Sequence, residues 1–204
     1  MKKANKFIYI ISPNRIKNRN FFKDLEEIFK SKKVKYFQLR LKNENIHNLI
    51  RYGKRIKKLC KKYKVKLIIN DNVKVALKIG ADGCHLGQAD MKISQARKIL
   101  KNKLLGVTCH NSIKLVKKEI KNQVDYIALG AFFKSSTKIV KYKAYLGLIT
   151  KVKSITNIPI VAIGGINSNN YKKLLLNKAN FLAISGYIWK NKKYKPLQAI
   201  ERLK

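Results

Sequence analysis

Asp71 and Asp90 each stand just past a short apolar run, in KLIIND and GCHLGQAD. The chain has only 10 acidic residues against 48 Lys plus Arg, so two carboxylates in matching places call for an explanation. Two such groups on neighbouring strand ends can share one hard cation. Mg²⁺ held by one or two carboxylates plus substrate phosphates is the usual arrangement for a diphosphate. Asp71 reads equally well as the N-cap of a helix starting at VKVALKIG. For Asp90 the ligand reading leads narrowly, because it lies two residues ahead of a helix that Ser94 could also start. Arg40, Lys42 and Lys138 are the cations that would neutralise phosphate oxygens, Arg through its planar fork and Lys as a point charge.

Other polar residues follow apolar runs in the same way. Gln38 and Asn70 close two of them; Thr108 and His110 close a third. Ser135, Ser136, Thr137 and Lys138 cluster in one long connection over residues 133–145, and a connection of that length in a compact domain is usually functional. Gly164 and Gly165, then Ser185 and Gly186, have the small side chains of a phosphate cup made from backbone N–H groups and a helix N-terminus. His85 lies inside an apolar run and reads as a satisfied core histidine; His110 reads either as a loop residue or as a proton-transfer group.

These residues need a scaffold that brings the ends of many apolar runs together. Eight runs of strand type occur: FIYIIS (7–12), YFQLRL (36–41), KLIIN (66–70), GCHLG (83–87), LLGVTC (104–109), DYIALGA (125–131), IPIVAIGG (158–165) and FLAISG (181–186). Between and after them lie segments with apolar residues at three- and four-residue intervals, such as SIKLVKKEIKNQ, with Lys on the solvent side. Eight strand–helix units predict an α/β fold, a single (β/α)8 TIM barrel over residues 1–204. An open doubly wound sheet has the same alternation, and the count of eight favours the barrel. In a parallel barrel the reactive face lies at the C-terminal ends of the strands, which is where the polar residues fall.

Composition bounds the rest. A chain of 204 residues with 46% hydrophobic content can bury one substantial core. The net charge of +38 would attract polyanions, but the Lys is spread along the whole chain, and no nucleic-acid motif or aromatic cluster accompanies it. Cys60, Cys84 and Cys109 form no CxxC pair, which argues against a disulfide framework or a zinc knuckle and fits a reducing cytoplasm. FIYIIS is shorter than the ~7–15 residues of a secretory core, and no run approaches the ~18 apolar residues of a membrane span.

The motifs in order resemble those of the thiamine phosphate synthases and their thiazole tautomerase relatives, which share a TIM barrel. FQLRLK resembles the family's QLREK, IIND its IND, ADGCHLGQAD its ADGVHLGQxD, and LGVTCHN its GVSxHN. DYIALGAFFKSSTK is similar to DYIGVGPVFPTxTK, IPIVAIGGIN matches nearly residue for residue, and AISGYI stands where the family has VVSAI. The resemblance implies a Mg²⁺-dependent transferase of thiamine biosynthesis. It would join a diphosphate-activated aminopyrimidine to thiazole phosphate, releasing pyrophosphate. Gln38, Arg40, Lys42 and Asn70 would hold the pyrimidine diphosphate, and Asp71 and Asp90 the metal. Thr108, where the family usually has Ser, and Lys138 would meet the pyrophosphate. Ser135 and Thr137 would meet the thiazole, with Gly164, Gly165, Ile184 and Ser185 around its phosphate.

The partners so implied are small molecules, with no specific nucleic acid and no membrane, and self-association is left open. In the tautomerase branch a His in the place of His110 transfers a proton without a metal; retention of both Asp residues favours the synthase. A non-enzymatic polyanion binder is the remaining alternative. Four departures stand out: Leu41 for an acid, Lys134 for Pro, Ser135 for Thr and Gly186 for Ala.

Overall fold

The structure is a computed structural model that describes residues 6–16, 19–42, 44–134 and 140–204. Eight parallel strands close on themselves in sequence order: β1 (Ile8–Ile11), β2 (Val34–Leu39), β3 (Lys66–Asn70), β4 (Gly83–Leu86), β5 (Leu104–His110), β6 (Tyr126–Gly130), β7 (Ile160–Ile163) and β8 (Phe181–Ile184). The closing pair sets Tyr9 of β1 against Ala183 of β8. The barrel expected from the count of eight runs is therefore the fold, and the open sheet is ruled out.

Helices follow the strands: α1 (Phe21–Lys30), α2 (Ile46–Lys62), α3 (Val73–Lys78), α4 (Ile93–Leu100), α5 (Ile113–Ile120), α6 (Gly147–Lys153), α7 (Tyr171–Leu176), and then α8 (Gly186–Trp189) and α9 (Pro196–Glu201). The longer helices turn apolar residues to the barrel; α1 buries Phe21, Leu25, Ile28 and Phe29. The single turn of α8 is an addition to the helices expected from periodicity. Four residues are too few to show an apolar repeat.

Because helices cover the outside and side chains fill the inside, the strands are apolar on both faces, and all four residues of β1 are buried. The alternation of strand side chains then sorts them into two layers. Ile8 and Ile10 join the outer core against the helices, while Tyr9 and Ile11 join an inner cluster with Ile68, Tyr126, Ala128, Val161 and Ala183. Aromatic rings fill the lower barrel: Tyr9 packs on Tyr36 with ring centroids 5.4 Å apart, and Tyr36 meets Phe181 edge-on at 5.0 Å.

Gly106 of β5 makes room for that packing. A Cβ built there would lie 1.9 Å from Cζ of Tyr126 and 2.3 Å from its hydroxyl oxygen, overlapping the phenol. Gly106→Ala should therefore expel the Tyr126 phenol from the barrel and cost about 1–3 kcal/mol of stability, read as a lower denaturation midpoint in urea. An unchanged midpoint would contradict the placement of that ring.

The acids divide by face. Asp82 and Asp125 precede β4 and β6 and act as clamps at the N-terminal side of the barrel. Asp82 accepts the Leu67 N–H at 2.9 Å and pairs with Lys57 at 2.7 Å, while Asp125 accepts the Leu105 N–H at 2.7 Å and pairs with Arg97. Asp71 and Asp90 lie at the opposite, C-terminal side. The three cysteines are buried free thiols, and burial pushes Cys84 and Cys109 up to about 12, so they stay protonated and inert.

Candidate active site

A pocket of about 630 Å³ opens at the C-terminal end of the barrel, a size suited to small-molecule ligands. Of the residues singled out from the sequence, Gln38, Arg40, Lys42, Asn70, Asp71, Asp90, Thr108, His110, Gly164, Gly165, Ile184 and Ser185 all line it. Ser135, Thr137 and Lys138 lie outside the described residues.

Local structure explains why these positions face the mouth. Arg40 is the first residue past β2. Its N–H donates to Ser12 Oγ at 2.9 Å, and its guanidinium Nη1 donates to Asn14 Oδ1 at 3.0 Å. The Lys42 N–H donates to the Asn14 carbonyl at 3.0 Å. The loop after β1 thus aims both cations. Ser12 and Asn14 line the pocket as well, and the sequence carried a signal for them: they are polar residues at the end of an apolar run, as Asn70 and Asp71 are. Lower down, Gln38 is buried and donates through Nε2 to Asn70 Oδ1 at 2.9 Å.

The two readings of Asp71 are separated by its neighbour. Asn72, not Asp71, caps α3, accepting the Val75 N–H at 2.9 Å. Asp71 stands free of that duty at the mouth, in the left-handed backbone region at φ 62°. His110 shares that conformation at φ 53°. Every other non-glycine residue with positive φ lies on the far face, at or near the end of a helix, where a left-handed residue is an ordinary stop. Two such residues on strand ends at one pocket are what functional sites accumulate.

Ser94 does not start α4; Lys92 occupies the N-cap position. Asp90 instead accepts the Gly87 N–H at 2.6 Å, closing the turn after β4. His110, expected beyond its strand, is the last residue of β5, and Thr108 lies within the same strand. Gln88 reaches across to donate to the Thr108 carbonyl at 2.8 Å, so the HLGQ turn fixes the end of β5. His110 packs against Tyr142 with centroids 4.3 Å apart and the rings tilted by 33°, which brings the returning limb of the long connection over the pocket.

Asp71 and Asp90 converge on one another. Partial burial, then the hydrogen bond and charge of Asp90, push the Asp71 carboxyl up to about 6, against the opposing pull of Arg40. They are the only acids among the described residues lining the pocket. Two carboxylates crowded together are a poor arrangement for a protein by itself and a good one for a hard dication. No group of three or more His, Cys, Asp or Glu side chains suited to a metal occurs among the described residues. A two-carboxylate set suits Mg²⁺, which keeps water and takes phosphate oxygens for its remaining ligands.

On the opposite wall two glycines bring the main chain to the pocket. Gly164 and Gly165 have φ of 105° and 63°. A Cβ on Gly165 would sit 2.2 Å from the Lys134 carbonyl oxygen, so only glycine allows this turn to pass under the connection after β6. Ser185 precedes α8 and donates to the Ser12 carbonyl at 3.3 Å, while the Trp189 indole N–H donates to the Ile11 carbonyl at 2.7 Å. Ile184 packs its side chain in the outer core, leaving its main chain to the pocket. Lys134, Lys141 and Lys190 add positive charge that sequence reading did not assign to the site. Leu41 packs against the outer core and is absent from the pocket wall, so the family acid it replaces leaves no gap in the lining.

The model of the family described as thiamine monophosphate synthase matches residues 8–188. The chain belongs to this family. Thiamine-phosphate synthase of Pelagibacter ubique (strain HTCC1062) is 62% identical over 199 residues, covering 98% of this chain and 96% of that protein. The Clostridium acetobutylicum thiamine-phosphate synthase is 33% identical over 197 residues, covering 96% and 92%. Among solved structures, thiamine phosphate pyrophosphorylase from Pyrococcus furiosus superposes with a TM-score of 0.85 at 27% identity, over 98% of this chain and 94% of that one. The barrel expected from the eight strand–helix units is therefore that of a member of the thiamine monophosphate synthase family.

Proposed function

We propose that this pocket makes thiamine phosphate by joining a pyrimidine diphosphate to thiazole phosphate with release of pyrophosphate. The observation that carries the residue-level reading is the convergence of Asp71 and Asp90 opposite the glycine turn at Gly164 and Gly165, with Arg40 and Lys42 on the same rim. The C–O bond to the diphosphate breaks, the electron pair leaves with pyrophosphate, and the thiazole nitrogen supplies the pair for the new C–N bond.

Gln38 and Asn70, tied to each other, orient the pyrimidine edge from the buried floor. Arg40 and Lys42 take phosphate oxygens and offset the charge that grows on the leaving group. Thr108, together with Lys138, meets the same pyrophosphate. Backbone N–H groups at Gly165 and Ser185 take the thiazole phosphate, with Ser135 and Thr137 near the ring. Asp71 and Asp90 hold Mg²⁺, which supplies Lewis-acid stabilisation of the departing diphosphate when bound. His110, packed against Tyr142, closes the side of the pocket where the two substrates meet. The three isolated, buried thiols and the phosphorylated substrates fit a cytoplasmic enzyme.

The deciding experiment supplies both phosphorylated substrates to purified protein, with Mg²⁺ or with EDTA. Thiamine phosphate should form only with the metal. Metal-independent isomerisation of a thiazole carboxylate phosphate, without coupling, would overturn the reading in favour of a tautomerase.

A further inference from the structure

A buried hydrogen-bond chain whose inner members no part of the reaction scheme uses ends at the pocket. The Tyr9 hydroxyl lies 2.8 Å from the Tyr126 hydroxyl, the Tyr126 hydroxyl 3.1 Å from His85 Nδ1, and His85 Nε2 2.8 Å from Thr108 Oγ1. We propose that the chain has one polarity, from Tyr9 through Tyr126 and His85 to Thr108. In that polarity His85 is the Nε2–H tautomer and a positioning residue that turns the Thr108 hydroxyl hydrogen into the pocket.

The number of buried hydrogens fixes the direction. The buried His85 ring lies between a phenol and a hydroxyl, with no carboxylate on either nitrogen, so it carries one N–H at neutral pH, and burial holds both phenols protonated. Running outward, Tyr9 donates to Tyr126, Tyr126 to Nδ1, and Nε2–H to Thr108; every buried hydrogen is used. Running inward, Thr108 would donate to Nε2, Nδ1–H to Tyr126, and Tyr126 to Tyr9. The Tyr9 hydrogen would then be stranded. Tyr9 is 1% exposed and has Tyr126 as its only hydrogen-bond partner among the described residues. A buried donor without an acceptor disfavours that arrangement by about tenfold to a hundredfold.

The closed end of the chain in the barrel floor thus sets the chemistry at its open end. With its oxygen occupied by His85 Nε2–H, Thr108 faces the pocket as a donor, suited to an anionic oxygen. This rests on the reading that Thr108 meets the departing pyrophosphate. It also gives His85 a task beyond that of a satisfied core histidine. Gly106 belongs to the same device, since its missing side chain admits the Tyr126 phenol.

The test is a nitrogen-15 correlation spectrum of the imidazoles in the ligand-free protein, where only His47, His85 and His110 contribute. His85 should be bare at Nδ1 and protonated at Nε2; protonation at Nδ1 would overturn the proposal. In Tyr126→Phe the constraint is lost, so His85 should populate both tautomers and kcat should fall about twofold, in proportion to the Nε2–H fraction that remains. A tautomer and kcat unmoved in Tyr126→Phe, with only stability reduced, would mean a purely structural chain and would also overturn it. Should that variant fail to fold, the wild-type spectrum decides alone. Thr108→Val with full coupling activity beside an Nε2–H His85 would remove Thr108 from the substrate site while the chain's polarity stands. Thr108→Ser should restore what Thr108→Val loses.

Discussion

Asp90→Ala and Asp71→Ala each lower coupling turnover by about two to three orders of magnitude, in line with the loss of one group that stabilises transition-state charge. Both variants also lose the saturable response to Mg²⁺. Retained turnover with an unchanged metal dependence would refute the shared-cation assignment. The ligand-free protein should show the reverse side of the same geometry. Burial and the nearby Asp90 raise Asp71 from its ordinary 3.8 to about 6, so between those values the folded chain binds more protons than the unfolded one. Stability of the metal-free protein therefore falls as pH rises from about 4 to 6 and stays reduced above it. Asp71→Asn abolishes that loss. Its melting temperature without metal should exceed the parent's at pH 7, and the two should converge near pH 4. An Asp71→Asn protein that melts lower at pH 7 would show that the carboxylates do not strain the free pocket.

Gly165→Ala is expected to raise the KM for thiazole phosphate about a hundredfold, as the turn whose N–H groups face the phosphate is displaced. The cause is twofold. The residue has φ 63°, and its added Cβ would meet two backbone atoms, the Lys134 oxygen at 2.2 Å and the Phe133 carbonyl carbon at 2.8 Å. Backbone cannot move aside as a flexible side chain can, so the connection after β6 must shift with the turn. Gly80 supplies the control. It has nearly the same φ, 64°, with nothing within 4 Å of the place a Cβ would take, and it follows α3 on the far face. Gly80→Ala should carry only the conformational penalty, about 1 kcal/mol, seen as a lower melting temperature with unchanged kinetics. Equal kinetic losses in the two variants would show that strain, not position, governs.

The neighbouring residues show how far the sequence could be read. The eight apolar runs and their helical partners predicted the barrel because period 2 and period 3.6 survive in single sequence. The rule that barrel sites gather past the strand ends then picked out Arg40, Asn70, Asp71, Asp90, Gly164 and Ser185 without coordinates. Boundaries were looser. β2 begins two residues earlier than YFQLRL and ends at Leu39, and β5 runs on to His110, because hydrogen bonds to neighbouring strands, not side-chain type, end a strand. Asn14 escaped notice although it follows an apolar run, and Lys134, Lys141 and Lys190 were indistinguishable from the other lysines of a chain rich in them.

Local sequence thus determined the barrel, the order of its site motifs and the family, since each depends on residue type and spacing along the chain. Tertiary structure decided what depends on separation in space. Asp71 is released from capping because Asn72 takes the Val75 N–H, and it meets Asp90 because β3 and β4 pair side by side. Leu41, the most conspicuous departure by sequence, packs away from the pocket. His85 looked like core and is a buried residue of the pocket wall, where its ring links a phenol 41 residues away to a hydroxyl 23 residues away. Hydrogen bonds of that reach have no period or motif to announce them, and only closure of the barrel brings their partners within about 3 Å.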